Sequence, residues 1–481
     1  MWTSVIAVAV ALCAACQGSE QVPQPPAKPP GVRVLDLIPV SLSGETWQDA
    51  EPFLALDAAN PQVLAASAFT PNPGGPASGT APIFVSEDGG DTWTLRNTLP
   101  SQNMTADITH AVGGGGNPPV LYAGILKVPN VPLNELKAND FFSLTTMTVQ
   151  ATRPDVDQPF VRASAAGHAD RVYVGLNDFD APDGRTATVD VSLDGGATYA
   201  SRRIETRPTV GQNGPSIRPA VAQDHTTYVA YFGWRSTAGS TVTSDVVVVR
   251  DDNGATGANP FRDLVDPSDH LAGRLVATHV TIPWSNAPTL GQERIGSTLA
   301  LAVDALRSDT VYLAWADRIG NGDIYTVHVR RSIDRGATWS NDLRTLTNAT
   351  DASLAVSTNG TVGLLYQQLT GTGSTGRWVT HLEQSRDGFV THQDIQLATV
   401  PASAPALQFL PYLGDYNCLL TRGNEFLGIF SANNTPDSAN FPQGVVYQRR
   451  VDFATHRLLD GAGAAVAVSI DPFFFSVPVL P

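Results

Sequence analysis

The octapeptide SEDGGDTW, Ser86 to Trp93, returns as SLDGGATY from Ser192 and SIDRGATW from Ser332, with a weaker copy, SRDGFVTH, from Ser385. Chance rarely keeps Ser, Asp, Gly, Thr and an aromatic in one register three times in a chain. The pattern has a local physical cause. The Asp carboxylate can accept backbone N–H groups across a tight turn, glycine supplies positive φ, and the terminal aromatic packs beneath. Such a turn staples two adjacent strands, so the repeat predicts repeated hairpins.

Ser332 and Ser385 are 53 residues apart, and Ser86 and Ser192 are 106 apart, twice that spacing. A unit without a recognisable turn therefore lies between the first two copies. The 140 residues from Ser192 to Ser332 hold two units if one carries an insertion. RDDNGATG from Arg250 reads as a degraded copy with Asp252, Gly254 and Thr256 in register, and the insertion as roughly residues 258–292. Each unit opens with an apolar strand and continues with a second rich in Tyr, Val, Ala and Trp. First strands begin at Glu51, Asp107, Gln158, Arg218, Thr298, Asp351 and Asp415. Residues 32–40 and the SIDPFFFSV near the C-terminus remain to close a ring.

The repeated octapeptide resembles the Asp-box of sialidases and related propellers, where it joins the third and fourth strands of a blade away from the active site. The resemblance implies an all-β fold, a β-propeller of about seven four-stranded blades. Six is the alternative, because the second and seventh units lack boxes. It also implies that Asp88, Asp194 and Asp334 are structural. YLGDYNCLL from Tyr412 is similar to a stretch of bacterial Asp-box proteins.

Composition agrees with such a fold. The 481 residues include 42 Gly and 35 Pro, which punctuate short Thr/Val/Ser runs and disfavour long helices. A formal charge of −15 makes nucleic acid an unfavourable partner. The apolar run Val5 to Leu12 has the length of a signal-peptide core and is too short to span a bilayer. Residues 1–16 thus read as a signal peptide with a lipoprotein-like cleavage site, Cys16 as the lipidated anchor, and residues 17–31 as a Pro-rich tether. Residues 32–481 read as one domain, exported, monomeric, and touching a membrane only through that anchor. Only Cys418 lies beyond the leader, so core burial must supply the stability.

In a propeller the strand heads converge on one mouth of the central channel, which would set Glu51, Asp107, Asp351 and Asp415 facing one another. The plainer reading is that these acids cap turns at the strand starts. A sialidase-like site needs three arginines to clamp the substrate carboxylate, a Tyr activated by a Glu, and an acid. Arg162, Arg218 and Arg294 are candidates for the clamp. Tyr416 or Tyr412, with Glu293 or Glu425, would supply the pair, and Asp107 or Asp49 the acid. The sialidase signature of Arg between an aromatic and Ile-Pro is absent. Trp47, Trp234, Trp284 and Trp378 are expected in loops, able to stack on sugars. No cofactor is implied, although hard oxygen ligands at the mouth could take Ca²⁺. The function expected is exo-glycosidase-type hydrolysis of glycan ends. The alternative is a non-catalytic propeller that binds a glycan or protein partner.

Overall fold

Alternation of apolar and polar residues in short runs, broken by Gly, Pro and Asp turns, yields antiparallel hairpins in sequence order. A computed structural model describes residues 31–480 except 70–79, 82, 96–98, 101–104, 115–117, 128–131, 141–146, 168, 284–289 and 320–323. Cys16, the leader expected around it and residues 17–30 of the expected tether lie outside the described residues. Among these residues, six four-stranded sheets and one five-stranded sheet follow one another along the chain. Their first strands are Ala50–Leu56, Thr105–Val112, Val156–Ala166, Ile217–Val221, Leu299–Asp304, Ala349–Val356 and Cys418–Arg422, numbered here as sheets 1 to 7.

Each first strand touches the next, and the strand of sheet 7 returns to that of sheet 1. The ring is therefore closed, and the arrangement is a β-propeller whose unpaired edges are short. Closure joins the two chain ends. Arg33–Asp36 pairs antiparallel with Ile470–Pro478, with Val34 opposite Phe475, and completes sheet 7. Sheet faces pack on their neighbours through continuous apolar clusters. One of them sets Tyr228, Phe232 and Val246 of sheet 4 against Leu301, Leu313 and Trp315 of sheet 5. Burying one such large side chain contributes about 1.5–3 kcal/mol.

The octapeptide turns join third and fourth strands. Ser192 Oγ donates to Asp194 at 2.8 Å, and Asp194 accepts Thr198 N at 2.9 Å and Thr198 Oγ1 at 2.6 Å. Asp88, Asp334 and Asp387 repeat these bonds. The copy at Ser385 forms the turn although Phe389, at φ 65°, stands where the others have glycine.

Three sequence expectations need correction. In RDDNGATG the turn is held by Asp251, which accepts Ala255 N at 2.7 Å and Phe261 N at 3.0 Å, while Asp252 pairs with Arg250 and Arg335. The expected insertion contains Arg274–Pro283, the fourth strand of sheet 4. Trp234 and Trp378 are not loop residues; they lie within strands, 5% and 0% exposed. Trp47 is half-buried, and Trp284 lies outside the described residues.

Candidate functional site: the strand-head carboxylates

The first strands of sheets 1, 2, 3 and 6 share an irregularity at their heads. Register slips between Ala50 and Phe53, Thr105 and Ile108, Asp157 and Phe160, and Thr350 and Ser353. The residues set free by these bulges include Glu51, Asp107, Gln158 and Asp351. Three of them adopt left-handed backbone, Glu51 at φ 53°, Gln158 at 46° and Asp351 at 55°. A bulge re-aims a side chain, and non-glycine residues at positive φ carry strain of about 1–3 kcal/mol each. The recurring E-P-F and Q-P-F at Glu51 and Gln158 mark these places in the sequence, because Pro has no N–H to give the ladder.

The acids freed by these bulges lie beside Asp415, which precedes the sheet 7 strand Cys418–Arg422. Glu51, Asp107, Asp351 and Asp415 are 4%, 6%, 1% and 1% exposed, and Glu293 is fully buried nearby. Arg294 faces them. Its Nε donates to Asp415 Oδ1 at 2.9 Å, a second guanidinium nitrogen pairs with Asp415 Oδ2, and Glu51 lies 3.8 Å away. Gln158 links the layer, its amide nitrogen donating to Asp415 and to Ser297 Oγ at 3.2 Å, and its carbonyl accepting Arg218 at 3.2 Å.

Burial pushes the Glu51 carboxyl well above the usual range, and Asp107 and Asp415 add to this by like charge. Burial likewise raises Glu293, with Asp351 next, and Asp351, with Asp415 next. Asp157 is pushed up to about 7, by burial first and then Asp107. Asp415 is raised by burial despite Arg294.

Beneath the acids lies an aromatic layer. Phe53 meets Phe160 edge-on at 5.1 Å and Tyr416 at 6.2 Å. The Arg218 guanidinium lies 4.4 Å from the centre of the Phe160 ring and 5.3 Å from that of Tyr416. Arg162 stacks 4.5 Å from Phe160 and 5.4 Å from Phe53. The three arginines do not form one open clamp: Arg218 is 1% exposed among rings, Arg162 lies on the aromatic layer, and Arg294 is engaged by Asp415. Nor is Tyr416 an activated phenol. Its hydroxyl donates to Asp107 Oδ1 at 3.3 Å, and burial, then Asp107 and Glu51, push its pKa well above 10. Tyr412 donates to Pro405 O at 2.9 Å, and Glu425 pairs with Arg422 at 2.7 Å in a hairpin of sheet 7.

Among the described residues, acidic ligand atoms come within 4.8 Å of one another as a trio at Glu45, Asp49 and Asp471, not in the strand-head ring. Three oxygens are fewer than the about six to eight that Ca²⁺ takes. Arg449, fully buried, already pairs there with Asp471 and with Asp36 at 3.2 Å.

No family model matches the chain, and no curated protein does. Solved structures do match. The Niastella koreensis GH74 enzyme is 15% identical with TM-score 0.41, covering 80% of this chain, and this chain spans 62% of that one. A PL25 ulvan lyase is 11% identical with TM-score 0.48, covering 80% of this chain and 92% of its own. The SapL1 lectin bound to α-methyl fucoside is 10% identical with TM-score 0.39, covering 76% and 99%. None of these likenesses assigns a substrate to this chain.

Proposed function

We propose that this chain is an exported, Asp-box propeller of about seven blades, anchored through Cys16, that binds glycan ends at the strand-head mouth without sialidase chemistry. The condition of the would-be catalytic groups supports this reading. Tyr416 is 4% exposed and protonated, and Arg218 is sealed between rings. At this mouth Arg294 keeps an edge in solvent, its side chain 21% exposed. Half-buried Trp47 and Phe409 flank Gln48, whose amide donates to Phe409 O at 2.8 Å and Pro411 O at 2.9 Å. A guanidinium edge in solvent suits a sugar hydroxyl or carboxylate, and an aromatic face suits a sugar ring.

One observation favours hydrolysis instead. Burial, then Asp107, pushes the Glu51 carboxyl well above its usual range, the direction a general acid needs. The purified protein, assayed with aryl glycosides of sialic acid and neutral sugars and titrated calorimetrically with the free glycans, separates the two readings. Binding without turnover is the expected result. Turnover abolished by Asp107→Asn overturns it.

A further inference from the structure

The channel has a second mouth, formed by the far ends of the first strands, opposite the acid cluster. A cavity of about 530 Å³ opens there, within the range of about 300–1,000 Å³ usual for small-ligand sites. Ala163, Val221, Leu301, Leu354 and Leu420 supply its walls, one from each of sheets 3 to 7. The lining also includes Arg162 and Asp304. Asp304 is held by Arg307 at 2.7 Å. Arg162 has no carboxylate partner among the described residues; it rests on Phe160 and Phe53 and donates to Val161 O at 3.1 Å.

Arg162 is half-buried at the edge of this cavity, so its guanidinium stays accessible while two aromatic faces hold it in place. The neighbouring His110 records the field. It is 1% exposed, packs edge-on against Phe53 at 5.5 Å, and has its pKa lowered to about 3 by burial and then by Arg162. Gln223, Thr358 and Thr421 add polar groups to the lining, so one positive charge beside a partly apolar wall matches one negative charge on an apolar tail. A dianion would leave excess charge in the cavity, and a neutral lipid would leave Arg162 unpaired.

We propose that this vestibule binds a small aliphatic carboxylate, its head paired bidentately with Arg162 and its tail along Leu301, Leu354 and Leu420. The site is separate from the strand-head mouth and does not depend on the glycan reading.

Calorimetric titration of the full chain with octanoate tests it, with octanol and acetate as the tail-only and charge-only probes. Saturable 1:1 octanoate binding is expected, at least about tenfold tighter than either control, as one charge-assisted hydrogen-bonded pair implies. Arg162→Gln should remove that advantage while the melting temperature stays near the parent value. The proposal fails if octanoate does not bind, or if Arg162→Gln binds it equally. Should Arg162→Gln not fold, the parent protein still decides, because octanol binding as tightly as octanoate would also overturn it.

Discussion

Arg294 and Asp415, 121 residues apart in the chain, form a two-pronged ion pair that is the main positive counterweight in the strand-head acid layer. Asp415 is 1% exposed, so removing Arg294 would strand a buried carboxylate among others. Arg294→Met is expected to lower stability by about 3–5 kcal/mol. Asp415→Asn in the Arg294→Met background should recover much of the loss. Denaturant unfolding of the single and double variants measures both, and a full loss retained in the double variant would show that Asp415 is not the group stranded.

The same layer sets a pH dependence. Glu51, Glu293 and Asp351 have folded-state pKa values raised by burial, so the folded protein binds more protons than the unfolded chain above about pH 4.5. Their contribution is fully present below the unfolded values and is lost as pH rises through the folded ones. The melting temperature should therefore fall between pH 5 and 8, and Glu51→Gln should flatten that decline. A Glu51→Gln profile parallel to the parent's would remove Glu51 from the account.

His328 works in a higher window. Burial lowers its pKa, but the hydrogen bonds its ring nitrogens donate to Asp317 at 3.1 Å and Asp342 at 2.8 Å outweigh this and raise it to about 9. Its raised value means the stabilisation is complete below about pH 6.5 and disappears as pH passes 9. His328→Gln should cost on the order of 2 kcal/mol at pH 6 and little at pH 10, read from unfolding curves at both values.

The turn carboxylates act at the acid end. Burial pushes Asp194 upward, yet bonds from Thr198 and Ser192 prevail and bring it to about 2. A depressed carboxylate stabilises above its unfolded pKa near 3.8, and that support is lost as pH falls through 2. Asp194→Ala should cost about 1–2 kcal/mol at pH 7, with a smaller difference from the parent at pH 2. An undiminished gap at pH 2 would indicate that the loss came from packing and not from the charge.

Periodicity and turn chemistry made the sheets legible, because alternation and the S-x-D-x-G-x-T turn are local properties. The strand heads Glu51, Asp107, Asp351 and Asp415 could be aligned for the same reason. What alignment could not supply was the direction of long side chains. Arg162 and Arg218 were placed at the mouth by their positions, but cation–π contacts with Phe160 draw them into the aromatic layer. Trp234 and Trp378 looked like loop residues because the strands carrying them are long, Thr227–Ala238 and Arg377–Ser385, and flanked by turn-forming sequence. Asp251 displaced Asp252 as the turn acceptor through a one-residue shift, which reverses side-chain facing in a strand. The bulges left only the E-P-F and Q-P-F repeats as a trace.

Gly414 fixes how closely the loop before sheet 7 approaches the acids. Its φ is 119°, and a Cβ there would lie 2.3 Å from Glu51 N and 2.7 Å from Glu51 Cγ. Backbone and side chain of Glu51 both stand in the way, while Glu51 N already donates to Leu413 O at 3.2 Å. A methyl group can therefore be admitted only by moving the loop that carries Asp415 and Tyr416 or by distorting the Glu51 bulge. Gly414→Ala is expected to lower stability by at least about 2–3 kcal/mol, combining positive-φ strain with the clash. Loosening that loop should also weaken the Arg294–Asp415 pair, so adding Arg294→Met to Gly414→Ala should cost less than Arg294→Met alone. Strict additivity in this double-mutant cycle would show that the loop position and the ion pair are independent.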